Sequence, residues 1–395
     1  MERWKIQLYT VWLTQILSIC GFSFGIPFTP FYIQELGITE KSAIELWVGF
    51  LNMAPAVALS LMAPLWGFLA DKFGKKLMIL RALLFGSLIV FLMGTVTSVY
   101  QLLALRTAQG LFTGTITASA TLIASVTPRD KMAGALGFLS SSTFIGFTIG
   151  PFLGGIAAEW FGYRMSFFIG SCLLFCGFII VLLKVREVRI NDSREPVKTK
   201  KTRYSLRDLL SVSILIAFFM LTIIRFIRFF IRPFIPLFLE ELLGKKEGIT
   251  FLTGSILAVS GFFSAASGVV FGRIGDKKNK IKLIIILFAV SAVTILPVFL
   301  FANLFVFIIF YQIYVFFLGG IEPNVQSYVS NKIAVDKRGI VFGLQTAISS
   351  LGWAAGPISA SLISINFSIN YLFLASSIIL VLAVVFLYFF RKHTY

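Results

Sequence analysis

Twelve long apolar runs constrain this chain more than any other feature of its sequence. A helix rises 1.5 Å per residue, so about 20 apolar residues cross the hydrocarbon core of a bilayer. Charged residues make up 13% of the chain, against about 25% in a soluble domain. We therefore expect an all-α membrane protein with twelve transmembrane helices. The runs lie at about 8–33, 45–70, 77–97, 100–124, 132–158, 164–184, 210–239, 250–272, 281–301, 304–330, 338–364 and 368–390.

The positive charges are distributed unevenly between the loops that join these runs. With a cytoplasmic N-terminus, 27 of the 35 Lys and Arg residues fall on the cytoplasmic side, four in outer loops and four inside spans. Such an excess predicts a protein of the cytoplasmic (inner) membrane with both termini in the cytoplasm. The net charge of +18 comes from short clusters and not from one continuous basic face, which argues against nucleic-acid binding.

One polar stretch, residues 185–207, separates the first six runs from the last six. Its charges, its proline and its lack of apolar periodicity are typical of a linker. The sequence thus predicts an N-terminal six-helix bundle at 1–184, a cytoplasmic linker at 185–207 and a C-terminal six-helix bundle at 208–395. The basic residues of the linker fit a topological anchor or a phospholipid-binding segment.

The two halves repeat each other, and the spacing between matching features is almost constant. Since each half has an even number of spans, the repeat is parallel, and such a repeat encloses a central cavity with alternating access. The recurring features are Pro-Phe-x-Pro at 27–30 and 233–236, Gly67 to Asp71 and Gly272 to Asp276, Asp130 and Asp336, and Gly150-Pro151 and Gly356-Pro357.

The loop between the second and third runs has a specific spacing of glycine, acid and base. Gly67 and Gly74 permit a tight turn, Asp71 can accept hydrogen bonds from helix N-termini, and Lys72 faces the cytosol. The segment resembles the G-x-L-a-D-r-x-G-r-k loop of the major facilitator superfamily. Together with its counterpart at Asp276, it is expected to act as a conformational latch.

The fifth run resembles a second motif of that family, the antiporter motif G-x8-G-x3-G-P-x2-G-G. Glycines at this spacing let helices pack backbone to backbone, and the proline allows a bend. The resemblance covers nearly the whole chain and implies the twelve-span drug:proton antiporter branch. The matching residues are Gly137, Gly146, Gly150, Pro151, Gly154 and Gly155.

Two ionisable residues inside spans are candidates for proton coupling. Arg106, on the fourth run, matches the R-x-x-q-G element that the family ties to proton coupling; a structural arginine that binds backbone carbonyls is an equal alternative. Glu322, on the tenth run, is the only acid well inside a span. A lone intramembrane carboxylate favours a functional role, and a structural ion pair is its alternative.

The seventh run has three arginines, Arg225, Arg228 and Arg232, on one helical face. Guanidinium groups bind carboxylates and phosphates bidentately, so this face predicts a cavity for anionic or zwitterionic substrates. The arginines could alternatively extend to the membrane surface or pair with nearby glutamates. Gln312 and Asn324, on the tenth run, are further candidates for lining the cavity.

The motifs together imply a proton-coupled secondary transporter that exports small amphipathic molecules, with carboxylate-rich metabolites and siderophores among the candidates. Alternatives are a multidrug exporter of lipophilic cations, a proton-independent facilitator and a lipid-binding scaffold. The chain has one histidine and no metal-ligand spacing or nucleotide loop, so neither an enzyme, a metal nor a cofactor is expected. Its partners should be the substrate, protons and the bilayer, without nucleic acid, and the chain should be a monomer.

Overall fold

A computed structural model describes residues 2–128, 131–187, 212–332 and 338–390. Within these ranges the chain is almost entirely helical and has no β-strand. The helices are α1 (Arg3–Ser23), α2 (Thr29–Glu35), α3 (Lys41–Phe73), α4 (Lys75–Met93), α5 (Val99–Phe112), α6 (Thr115–Val126), α7 (Met132–Phe161), α8 (Tyr163–Lys184), α9 (Val212–Ile231), α10 (Ile235–Leu243), α11 (Ile249–Lys277), α12 (Lys280–Phe301), α13 (Leu304–Gly319), α14 (Ile321–Lys332), α15 (Arg338–Asn366) and α16 (Tyr371–Phe390).

Parts of the sequence predictions fall outside the described residues. These are most of the predicted linker, residues 188–207, and the repeated acids Asp130 and Asp336. For Asp71 the backbone is described and the side chain is not. The predicted domain boundaries therefore remain predictions.

Eleven helical segments of the described chain are long and apolar enough to cross a membrane. The twelfth predicted span, at 100–124, is interrupted: α5 has 14 residues and ends at Phe112, and α6 has 12 residues and begins at Thr115. Gly114 between them has a φ of +127°, a conformation that only glycine adopts readily. The predicted all-α membrane fold is confirmed, with the span at 100–124 broken in the middle.

The internal repeat is visible in the backbone as well as in the sequence. A short 3₁₀ turn at Ile26–Phe28 precedes α2, and a second at Arg232–Phe234 precedes α10, at the equivalent place in the second half. Each turn has a proline near its start, where the missing N–H costs nothing. The break at Gly114 also has a counterpart at the matching position, Gly320, which separates α13 from α14. The repeat therefore extends to the position at which two spans are interrupted.

Contacts divide the chain into two units. The first lies within Met1–Gly37, Val57–Thr202 and Thr250–Ala258, so far as these ranges are described; the second lies within Ile38–Ala56, Arg203–Ile249 and Val259–Tyr395. Two long helices, α3 and α11, are each shared between the units.

Two glycines of α15 fix the orientation of α9 in the second unit. In the second unit, a Cβ on Gly352 of α15 would lie 2.2 Å from the backbone oxygen of Thr222 on α9. A Cβ on Gly356 would lie 2.6 Å from that of Phe226. Because α9 touches α15 along Thr222 and Phe226, its arginines lie elsewhere on the helix circumference.

Candidate functional site

The arginines of α9 form a polar cluster with residues of the interrupted tenth span. Arg228 donates from Nη1 to Oε2 of Glu322 at 3.0 Å. Glu322 lies in the first turn of α14, directly after the break at Gly320, where the helix N-terminus stabilises a carboxylate. The two side chains are 35% and 22% exposed, so the protein does not fully enclose this ion pair.

Two buried tyrosines complete this arginine cluster. Tyr311 interacts electrostatically with Arg232 and Arg228, and Tyr314 interacts with Arg228. Tyr314 is 2% exposed, and its hydroxyl has no hydrogen-bond partner in the described part of the chain. A buried hydroxyl without a partner is costly, so the Tyr314 hydroxyl remains available to form a hydrogen bond with a bound polar group. The sequence reasoning missed both tyrosines, although Tyr-x-x-Tyr on the span of Glu322 was a usable signal.

The cluster contains more positive than negative charge. Arg225 lies close enough to Glu322 and Arg228 for their charges to interact, but it makes no hydrogen bond or ion pair with any described residue. Three guanidinium groups and one carboxylate, all in the second unit, give a net charge of about +2. The structure thus places Glu322 in one cluster with Arg225, Arg228 and Arg232. The helical spacing predicted only that the three arginines share one face.

The other two cavity candidates, Gln312 and Asn324, are held by hydrogen bonds inside the second unit. Gln312 accepts a hydrogen bond from Ser260 at 2.9 Å and is 6% exposed. Asn324 is 1% exposed and donates from Nδ2 to the carbonyls of Phe271 at 3.0 Å and Gly320 at 2.7 Å. Asn324 therefore joins α14 to α11 and stabilises the break in the span.

In the first unit, Arg106 lies in a separate buried polar network. Its Nη1 donates to Oε1 of Gln109 at 2.6 Å, and the two residues are 5% and 4% exposed. On the neighbouring α1, Gln15 accepts a hydrogen bond from Ser119 at 2.9 Å, and its own Nε2 has no partner among the described residues. This polar surface joins α1 to the interrupted fourth span.

The break at Gly114 has two side chains that bind its free carbonyls. Trp66 donates from Nε1 to the carbonyl of Leu111 at 2.6 Å, and Arg81 donates from Nη2 to that of Thr113 at 3.3 Å. The Arg81 guanidinium lies 3.3 Å from the centre of the Trp66 ring. The sequence reasoning counted Arg81 among the 27 cytoplasmic Lys and Arg residues and did not identify this role.

The predicted latch loop is tied to the end of α8. Gly74 has a φ of +99°, and the next two backbone N–H groups, of Lys75 and Lys76, donate to the Glu187 carboxylate at 3.1 and 2.7 Å. The Glu187 carboxylate therefore caps the N-terminus of α4, and its position in the linker gave no signal of this role. Sequence reasoning expected Asp71 to accept hydrogen bonds from helix N-termini across the boundary between the halves, and this stays a prediction, because the Asp71 side chain is not described.

The remaining latch residues lie at exposed positions. Lys72 is exposed beside the Phe73 ring, and a Cβ on Gly67 would meet no atom within 4 Å. Asp276, which is 73% exposed, pairs with Lys280 at 3.5 Å. Their role as a conformational latch stays a prediction.

The glycines of the antiporter motif form a close seam with α1. A Cβ on Gly146 would lie 2.6 Å from that of Ile19, and one on Gly150 would lie 2.1 Å from the Ser23 hydroxyl. A Cβ on Gly154 would lie 2.0 Å from the Phe24 carbonyl oxygen. The seam is buried along Gly150, Pro151, Gly154 and Gly155, whereas a Cβ on Gly137 would meet nothing within 4 Å.

Comparison with known proteins assigns the family. A model of the Major Facilitator Superfamily matches residues 11–357 and 254–395, which together cover nearly the whole chain. The chain belongs to the Major Facilitator Superfamily. It is therefore an integral membrane transporter and not an enzyme, as its motifs implied.

Relatives and solved structures agree with this assignment. The chain is 31% identical to the multidrug resistance protein MdtG of Proteus mirabilis over 94% of this chain and 92% of that protein. It is 30% identical to MdtG of Escherichia fergusonii over 97% and 94%.

Similar folds occur in an inward-facing bacterial homologue of the human lysosomal transporter Spinster and in the human organic anion transporter MFSD10. The first has a TM-score of 0.77 and 14% identity, with 98% of this chain and 96% of that chain covered. The second has a TM-score of 0.73 and 16% identity, with 98% and 100% covered. At these identities the structural likeness concerns the fold alone.

Proposed function

We propose that this chain is a proton-coupled secondary transporter that exports small amphipathic molecules by alternating access, and that it prefers anionic or zwitterionic ones. It acts as a monomer in the cytoplasmic membrane, with both termini in the cytoplasm. The named MdtG relatives support efflux of several compounds. The arginine cluster of α9 supports the preference for anions.

One observation supports the anion preference above all others: Arg225 is partly buried beside Arg228 and makes no ion pair with any described residue. Buried cations are normally paired, because an unpaired charge away from water is costly. A carboxylate or phosphate of a substrate would supply the missing partner through two parallel N–H···O bonds. The unpartnered Tyr314 hydroxyl offers a further hydrogen bond to the same group.

The Arg228–Glu322 ion pair predicts the sign of the coupling between substrate and proton. A substrate anion and the Glu322 carboxylate compete for the same guanidinium. Protonation of Glu322 releases Arg228, so an anion should bind more tightly as the pH falls. A lipophilic cation would instead bind to the Glu322 carboxylate and compete with the proton, so its affinity should rise with pH.

The opposite pH dependences expected for anion binding and cation binding can be tested directly. Binding of a polycarboxylate and of a lipophilic cation is measured against pH for the purified protein and for Glu322→Gln, which imitates the protonated residue. For an anion site, Glu322→Gln should bind the polycarboxylate as tightly at high pH as the wild type does at low pH. A cation that binds more tightly at high pH, and only in the wild type, would instead support a multidrug exporter of lipophilic cations.

Transport in proteoliposomes with an imposed pH gradient tests the role of Arg225. A charge-assisted hydrogen bond contributes about 1.5–3 kcal/mol, so Arg225→Ala should weaken anion binding on the order of 10- to 100-fold. Arg164→Ala is the control, because this arginine lies in the first unit and donates to the Gly94 carbonyl. Equal anion flux in Arg225→Ala and Arg164→Ala would refute the arginine cluster as the anion-binding site. Anion flux that does not depend on the pH gradient would favour a proton-independent facilitator.

A further inference from the structure

A second carboxylate on a helix long and apolar enough to cross the membrane, Glu45, is more deeply buried than Glu322. It lies in the first turns of α3, and the residue is 1% exposed. Its Oε1 is buried and has no hydrogen-bond partner in the described part of the chain. The sequence placed Glu45 at the boundary of an apolar run, where a glutamate is ordinarily solvated, so this burial was not expected.

The neighbours of Glu45 are hydroxyl groups of α15. The Ser364 hydroxyl lies beside the carboxylate. One turn further along α3, Gly49 allows close approach: a Cβ there would lie 2.8 Å from Cβ of Ser361. The Ser361 hydroxyl is also buried without a partner among the described residues. The N-terminal half of α3 thus packs against α15 through small side chains, with both segments in the second unit.

The charged groups near Glu45 leave it without a cation of its own. Lys41 lies one turn away on the same helix, but its ammonium group forms an ion pair with Glu241. Glu241 faces Glu45 with a like charge, and Glu40 accepts a hydrogen bond from Ser42. Among the described residues, the nearest polar neighbour of Glu45 is therefore the neutral Ser364 hydroxyl, and its nearest lysine is shared with another acid.

Water has access to this site. A depression of about 340 Å³ is lined by Glu45, Lys41 and Ser364, together with neighbouring residues at the two helix ends. The Lys41 side chain at its rim is 62% exposed. A proton can therefore reach the carboxylate from solution, although the carboxylate itself is shielded.

We propose that Glu45 is a proton-binding site, distinct from Glu322, and that its neutral form is the one that packs against α15. A buried carboxylate without a cation is costly, and protonation removes the charge. The protonated group can also donate a hydrogen bond to a serine hydroxyl, which an ionised carboxylate cannot do. Loss of the proton would weaken the packing of the N-terminal half of α3 on α15.

Infrared difference spectroscopy of the full chain in lipid nanodiscs, titrated with pH, tests this site. The wild type should show a C=O band of a protonated carboxyl group that disappears as the pH rises, and Glu45→Gln should lack that band. Glu247→Gln is the matched control, because Glu247 is an exposed loop residue, and it should retain the band. A titrating band that is identical in the wild type and Glu45→Gln at every pH would overturn the proposal.

Two further variants keep the test decisive. Ser364→Ala removes the neighbouring hydroxyl and retains the carboxyl group, so it should shift the pH at which the band disappears. An unshifted band in Ser364→Ala would contradict the assigned partner, even if Glu45→Gln failed to fold. Glu322→Gln should leave the Glu45 band unchanged. This outcome separates the present site from the arginine cluster, whose failure as a substrate site would not affect the infrared result.

Discussion

The seam between α7 and α1 allows a quantitative test, because two glycines of one helix differ only in what surrounds them. A methyl group on Gly154 would lie 2.0 Å from the carbonyl oxygen of Phe24 and 2.8 Å from its carbonyl carbon. A methyl group on Gly137 would meet no atom within 4 Å. Gly154→Ala therefore probes the seam, and Gly137→Ala is its control.

The expected cost follows from these distances. A real Cβ atom stays at least about 3.0 Å from such neighbours, so α7 and α1 must separate by roughly 1 Å at Gly154. The obstacle is backbone, which cannot move aside by changing rotamer. Overpacking of this kind costs about 1–3 kcal/mol. The gain in helix propensity from glycine to alanine, about 1 kcal/mol, applies to both variants and cancels in their comparison.

Thermal unfolding of the purified protein in detergent, followed by tryptophan fluorescence, measures the difference. Gly154→Ala should be less stable than Gly137→Ala by about 1–3 kcal/mol, and Gly137→Ala should match or exceed the wild type. Transport should fall only in Gly154→Ala, because α1 also positions the buried Gln15. Equal stability of the two alanine variants would refute the backbone contact from which this cost is derived.

Two other side chains that the sequence did not identify give predictions of their own. Trp66→Phe leaves the Leu111 carbonyl without its donor and should lower stability by about 1 kcal/mol, as measured by thermal unfolding; an unchanged melting temperature would contradict the role of this hydrogen bond. Glu187→Gln removes the negative charge from the N-terminus of α4 and should cost about 0.3–1 kcal/mol at low salt. Amide hydrogen exchange at Lys75 and Lys76 should then become faster, and unaltered exchange would argue against the cap.

The sequence predicted those features that depend on periodicity and local geometry. Runs of about 20 apolar residues identify spans because the bilayer has a fixed thickness. The constant spacing between matching features identified the internal repeat. Each Pro-Phe-x-Pro segment of that repeat forms the same short turn, at Ile26–Phe28 and at Arg232–Phe234. The spacing of Arg225, Arg228 and Arg232 placed them on one face because helix geometry alone determines it.

Features that depend on contacts between distant segments were not predictable. Mean hydropathy does not reveal a helix break, and the predicted run at 100–124 continues through Gly114. The partner of Glu322 could not be chosen between four intramembrane arginines without knowing how α9 is rotated against α14. The burial of Glu45 depends on serines near the other end of the chain. From the sequence alone, a glutamate at the end of an apolar run, such as Glu45, is expected to be solvated, because the residues that pack against it are unknown.

The two carboxylates impose different conditions on coupling. If an anion binds to Arg228 as proposed, it and a proton on Glu322 should bind cooperatively. The proton neutralises the carboxylate that competes with the anion for Arg228, and an anion on Arg228 leaves that carboxylate without its cation. By linkage, this favours movement of the two in the same direction. Exchange of an anion for a proton requires a proton site that does not share its guanidinium with the substrate. Glu45, with neutral hydroxyl neighbours, meets that condition. If anion affinity rises as the pH falls, we expect an exporter driven by proton entry to depend on Glu45, and Glu45→Gln should uncouple transport while anion binding persists. If instead a cation binds in competition with the proton, Glu322 alone is sufficient for exchange, and Glu45→Gln should leave the coupling intact.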